Sequence, residues 1–185
     1  MNEETLKDAL QKGNYEQTEQ GILFPETRIL ARGEFCYHKR GEAPEYSSNL
    51  LVDEGLDEIL DTALGNGSQI STWYIAIFSA AVTPLSTWTA ANFAASATEI
   101  TNYDEATREV WTPTAVTGGV ISSYTAKASF TASSAMTVRG AALISSSTKG
   151  GTTGTLIGAS RFGADKGLTT AELIDVGYQV TLASA

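Results

Sequence analysis

From Ile174 to Leu182 the chain alternates without a break: Ile174, Val176, Tyr178, Val180 and Leu182 are apolar, with Asp175, Gly177, Gln179 and Thr181 between them. A period of two places these sets on opposite faces of an extended chain, so the segment predicts a half-buried β-strand. Residues 121–132 repeat the pattern, with Tyr124, Ala126, Ala128 and Phe130 inward and Thr125, Lys127, Ser129 and Thr131 outward. In residues 33–38, Phe35 and Tyr37 share one face and Glu34, Cys36 and His38 the other, until Gly41 and Pro44 end the run. Residues 73–78, from Trp73 to Phe78, are apolar on both faces, as a central strand would be. Residues 108–112, 136–144 and 155–162 complete the set, the last two joined by a turn at Thr148-Lys149-Gly150-Gly151. There is no βαβ rhythm, heptad or fixed-period repeat. The expected fold is therefore mainly β: an antiparallel β-sandwich, jelly-roll or Ig-like, with one short α-helix and an extended N-terminal arm.

A chain of 185 residues suffices for one domain and an appendage. Residues 1–30 read as an arm, polar over its first twenty residues apart from Leu6 and Leu10, either laid on a neighbouring subunit or disordered. Residues 31–185 read as the sandwich domain, including a helix near 53–64. Asp53 stands where an N-cap would, with Glu54, Asp57 and Glu58 in the first turns, where the helix dipole favours acids. Leu56, Ile59, Leu60 and Leu64 form one apolar stripe, expected to lie on the sheet with the carboxylates facing water or a basic neighbour. Gly65-Asn66-Gly67 is expected to end the helix through a left-handed glycine. The Ala/Thr/Ser-rich residues 80–98 read as an ordered loop pinned by Pro84, Trp88 and Phe93.

Charge is sparse and uneven. Only 18% of residues are charged, so Ser, Thr, Ala and Gly must fill much of the surface, as suits a protein packed against neighbours. The net charge is −9, and no Lys or Arg occurs from Gly41 through Thr107. An acidic middle and a mildly basic last third either orient copies of the chain or serve solubility alone. No basic patch suits nucleic acid, and no apolar run approaches the roughly 20 residues of a membrane helix. A lone Cys36 excludes an intrachain disulfide. The acidic start Met1-Asn2-Glu3-Glu4 lacks a secretory pattern, so the chain is expected to be made and kept in a cytoplasm unless lysis releases it.

Few residues could carry chemistry. His38 is the sole histidine, and Cys36 shares its strand face; a structural zinc site would need further Cys or His ligands. A Ser-His-Asp triad would need that same His38, and no serine sits in a Gly-x-Ser-x-Gly elbow. Asp104 and Glu105 are adjacent and so point apart on a strand. In Tyr103–Arg108 a turn held by an acid-to-Arg108 contact is the expectation. Gly150-Gly151-Thr152-Thr153-Gly154 lacks the Lys-Ser/Thr ending of a phosphate loop and reads as a hairpin turn. Trp73 is expected in the core, while Trp88 and Trp111 stand as possible surface contacts, for example a sugar platform. No catalytic, cofactor-binding or metal-binding residue is assigned, and no enzymatic activity is expected.

Several segments carry a resemblance. They are Asn49–Leu56, Ser71–Phe78, Ala97–Arg108 with Trp111, Gly140–Ser147, Gly154–Ile157 and Ala159–Phe162. Together these resemble a family of small tailed-bacteriophage virion proteins, over about residues 30–185. Head decoration (cement) proteins are the favoured type. The resemblance implies a sandwich domain seated on the major capsid protein, associating with its own copies as a dimer or trimer. It implies a virion location after synthesis in the host cytoplasm, and no active-site residues. A tail or neck accessory protein (adaptor or fibre-base component) is the alternative, followed by a carbohydrate-binding attachment module.

Overall fold

Alternation in the sequence becomes two antiparallel sheets in the structure, a computed structural model that describes residues 29–184 together with two short strands before them. Those two, β1 (Tyr15–Gln17) and β2 (Leu23–Pro25), pair antiparallel with Tyr15 opposite Pro25. Apart from Ile29 and Leu30, which open β3 (Ile29–Lys39), the rest of the expected arm, including Leu6 and Leu10, lies outside the described residues. The chain divides into two units: Met1–Leu30 with Leu182–Ala185, and Ala31–Thr181.

The strands that lie wholly or mostly in the larger unit are β3 (Ile29–Lys39), β4 (Glu45–Ser48), β5 (Leu50–Leu51), β6 (Tyr74–Phe78), β7 (Glu109–Val110), β8 (Val120–Ser122), β9 (Ala128–Thr131), β10 (Met136–Ile144), β11 (Leu156–Leu168) and β12 (Leu173–Ser184). One sheet runs β5-β11-β10-β6-β7; the other runs β4-β3-β12-β8, with β9 also paired to β12. Phe35, Tyr37, Phe130, Ile174, Val176 and Tyr178 from the second sheet share one apolar cluster with Ile75, Ile77, Ala141, Leu143 and Phe162 from the first. The predicted alternation of the last strand is therefore real through Tyr178; Val180 still packs half-buried against the same cluster, and Leu182 is exposed.

Strand β6 is buried on both faces, as its sequence implied. Ile75 and Ile77 enter the shared cluster, while Ala76 and Phe78 enter a second one with Trp88, Phe93, Ala142, Ile144 and Ala159. A helix covers that second face, and here the expected loop over 80–98 is corrected. Residues Ala90–Ala97 form helix α2, placed after α1 (Asp53–Leu64), so two helices occur among the described residues. The Asn92 side chain accepts a hydrogen bond from the Thr89 backbone N–H at 2.9 Å, fixing the first turn. Ala76, Ala142 and Ala159 keep the sheet surface low beneath it, and Phe78, Trp88 and Phe93 meet edge-to-face at 6.2–6.3 Å. Trp88 and Phe93 do pin the segment.

Residues 121–132 are not one strand. β8 and β9 both pair β12, at Ser122 opposite Gln179 and Ala128 opposite Val176. Between them Ser123 stays buried, its Oγ accepting the Tyr178 N–H at 3.0 Å, and the chain turns outward at Thr125 and Ala126, the latter exposed rather than inward.

Helix α1 differs most from expectation. Its N-cap is Val52, with Asp53 the first helical residue, where a carboxylate still favours the dipole. It ends without a left-handed residue: Gly65 has φ −92°, and its N–H reaches the Leu60 and Asp61 carbonyls. A Cβ at Gly65 or Gly67 would strike the Asp61 side chain, so these glycines serve by lacking a side chain. The leucine stripe faces outward: Leu56, Leu60 and Leu64 are 39, 57 and 85% exposed. The helix meets the sheet instead through Val52, Gly55 and Ile59. Gly55 rests on the Ile157 backbone, where any Cβ would clash. Glu54 Oε2 accepts the N–H groups of Ala90 at 2.8 Å and Leu156 at 2.7 Å. That contact and those two hydrogen bonds fix the helix rotation and leave the leucines in solvent.

Candidate functional site

The two tryptophans left open as possible surface contacts are inside. Trp88 is 5% exposed within the aromatic trio under α2, and Trp111 is 9% exposed with its ring N–H donating to the Tyr178 carbonyl at 3.1 Å. Neither offers a free ring face, which removes the sugar platform; Trp73 packs half-buried against the core.

Arg108 is the largest fully buried side chain, and its acid partner is Glu99 instead of the nearer Asp104 or Glu105. Two parallel hydrogen bonds of 2.7 Å join guanidinium and carboxylate. Arg108 also donates to the carbonyls of Ser146 at 2.9 Å and Gly151 at 3.2 Å, while Glu99 accepts the Gly150 N–H at 3.0 Å. Every strong polar group of the pair is thereby matched, and the segment before β7 is tied to the β10–β11 hairpin. Gly150 and Gly154 both take positive φ in that hairpin, as its composition implied. Glu105 accepts the Thr131 N–H. Beside it the Tyr103 hydroxyl is buried without a partner, and burial pushes its proton affinity far up. The Lys149 ammonium sits 3.8 Å from the centre of the Tyr103 ring.

Serine, histidine and aspartate do converge at one place, the outer face of the second sheet. His38, Tyr124, Lys127 and Asp175 line an open groove of about 310 Å³ there. The wiring is not nucleophilic. Ser129 Oγ donates to Asp175 at 2.5 Å and accepts from Arg40 at 3.0 Å. Arg40 grips both Asp175 oxygens, at 2.6 and 3.1 Å. Burial raises the Asp175 carboxyl, but the Arg40 and Ser129 hydrogen bonds outweigh it and hold the group below its ordinary range. His38 Nδ1 lies 3.2 Å from the Lys39 carbonyl, so the serine faces an arginine-neutralised carboxylate and not an imidazole. Cys36, on the same face, is 1% exposed, and burial pushes its thiol up despite Lys127. A protonated thiol is a weak nucleophile and a weak ligand. Among the described residues no group of three or more His, Cys, Asp or Glu is placed to hold a metal. Nor is any helix there long and apolar enough to cross a membrane.

The remaining feature is α1 itself. Glu54, Asp57, Glu58 and Asp61 line a second open groove, of about 530 Å³, with Thr89 and Thr155 on its far wall. Among the described residues none of these carboxylates is ion-paired, whereas Lys39, Arg40, Arg108, Arg139, Arg161 and Lys166 all pair with acids elsewhere in the chain. Sequence reasoning placed the carboxylates toward water, where Asp57 and Asp61 are, but misplaced the leucines by assigning them to the sheet. The Glu99–Arg108 pair was legible only as two opposite charges nine positions apart. No protein-family model matches the chain, and no curated protein matches it.

Proposed function

We propose that the chain is a non-enzymatic structural protein, an antiparallel β-sandwich that decorates and stabilises a bacteriophage head by binding the major capsid protein and its own copies. The observation that carries this reading is the leucine stripe of α1, held in solvent by hydrogen bonds that fix the helix rotation. An apolar surface on a folded domain gains free energy when a partner covers it. The wiring of Ser129, His38, Asp175 and the buried Cys36 supports the same reading, since each group is engaged in holding the fold. A decoration protein acts by mass action: it binds the assembled lattice and not the dissociated subunits, so its binding free energy adds to lattice stability.

Copy number in purified particles tests the proposal. A lattice-wide decoration follows the shell symmetry and is present in about hundreds of copies, whereas a tail or neck accessory follows a ring and is present in about six to twelve. Quantitative mass spectrometry should give the larger figure. The smaller one, or absence from particles, would sink decoration.

A further inference from the structure

We infer that helix α1 is a docking helix for a protein partner presenting an apolar seat bordered by lysine or arginine. The inference rests on the reading that this chain works by being covered by another protein, and it names the covering chemistry. Leu56, Leu60 and Leu64 recur every four residues, so they form one ridge along the exposed side of α1. Asp57 and Asp61 lie on the helix side next to that ridge, above the carboxylate-lined groove. Apolar anchors on successive turns, flanked by charge of one sign, are the features by which a helix is read in a groove. The acids determine which groove. Of the four, Glu54 is engaged by two backbone N–H groups, and Glu58 accepts the Thr62 hydroxyl at 3.1 Å. Asp57 and Asp61 have no ion pair among the described residues, and no Lys or Arg lies within the helix or anywhere from Gly41 through Thr107. A lysine or arginine of the partner would complete the site, and the groove of about 530 Å³ has room for such a side chain.

A second copy is a poor occupant. It would bring the same acidic helix, and among the described residues six of its twelve cations are already ion-paired. An anionic lipid surface would be repelled by the carboxylates that attract a basic protein.

The test uses the full chain, isotope-labelled for NMR, and two synthetic amphipathic helical peptides with the same leucine pattern, one carrying lysine and the other glutamate at its polar positions. The lysine peptide should bind saturably, shift resonances of residues 53–64 with Thr89 and Thr155, and weaken with added salt; the glutamate peptide should not bind. Leu60→Ser with Leu64→Ser should lower affinity about tenfold or more, and Asp57→Asn with Asp61→Asn should weaken binding and flatten its salt dependence. Equal binding of both peptides, shifts that map elsewhere, or variants without effect would overturn the inference. So would a dimer that is lost in the leucine variant, since the occupant would then be a second copy. Low copy number with intact peptide binding would remove the decoration setting and leave the docking surface standing. High copy number with no peptide binding would leave decoration and remove this surface.

Discussion

Glu99→Gln keeps the size of the side chain and one acceptor oxygen beneath the hairpin, but removes the charge and turns the other acceptor into an NH2 donor where both oxygens now accept hydrogen bonds. Arg108 would then be a buried cation without a counter-charge, since both members of the pair are essentially inaccessible to water. Breaking such a pair from one side costs about 3–5 kcal/mol. Against a total stability of about 5–15 kcal/mol this is a large fraction. For a chain of this size each kcal/mol shifts the melting temperature by about 2–4 °C, so the expected fall is about 6–20 °C. Urea unfolding followed by tryptophan fluorescence should show a lower midpoint with an unchanged slope, which marks lost stability without a changed unfolded state. Replacing both partners with apolar residues (Glu99→Leu with Arg108→Met) separates charge from hydrogen bonding. It removes the uncompensated charge but strands the carbonyls of Ser146 and Gly151 that Arg108 now serves. The double variant should therefore recover only part of the loss. It should stay below the parent by at least the cost of one buried polar group left unpaired, about 1–3 kcal/mol, since more than one is stranded. Because the pair is out of solvent, added salt should change these differences little. A Glu99→Gln midpoint within about 1 kcal/mol of the parent would refute the reasoning, because a truly buried Arg108 could not tolerate that change so cheaply.

Leu60→Asp should leave urea stability within about 0.5 kcal/mol of the parent, since Leu60 is largely in solvent; global unfolding would mean the stripe is buried after all. Cys36 should resist a thiol-reactive chromophore in the folded protein and react fully in denaturant, because burial keeps it covered and protonated; rapid native labelling would contradict this placement. The Lys39 ammonium and the Thr169 backbone N–H hold the Glu172 carboxyl down to about 2, from an ordinary 4.5. The folded state therefore binds this proton less tightly than the unfolded state. Its stabilising effect is present above pH 4.5 and is lost as pH falls toward 2. Glu172→Gln should make urea midpoints less pH-dependent across that window; an unchanged acid limb would show that the pairing is not formed in solution.

The sheets were legible because strand alternation reports two different environments at once. Ile174, Val176 and Tyr178 meet the shared core, while Asp175 on the opposite face meets Arg40, and a period of two is the trace of that division. Trp73–Phe78 was legible for the complementary reason: Ala76 and Phe78 face a helix, so polar residues have no place on either side. Helix α2 was hidden because Ala, Ser and Thr carry little hydrophobic contrast. Its signal was the Thr89-to-Asn92 spacing of a capped start. The partner of Arg108 was hidden because proximity in sequence favours Asp104 and Glu105, whereas the chain turns back to place Glu99 against it.

Helix α1 exposes the limit of periodicity most directly. A period near 3.6 reveals that a helix has an apolar side, but not that this side is the one facing its own sheet. Gly55 contributes almost nothing to a hydrophobic pattern, yet it permits the closest approach, because a bare Cα can rest on the Ile157 backbone. Once Gly55 and the Glu54 hydrogen bonds choose the rotation, Val52 and Ile59 complete the internal contact, and the leucine stripe runs outward from a partly covered Leu56 to Leu60 and Leu64 in solvent. The helix therefore carries two apolar sides, a narrow one that builds the fold and a broader one that does not. A helix needing only the first would be more soluble with polar residues at Leu56, Leu60 and Leu64. Their presence, beside carboxylates that nothing described in the chain neutralises, is what ties the failed sequence expectation to the proposed docking: the stripe was identified correctly, and in that proposal its seat is on a partner and not on the chain's own sheet.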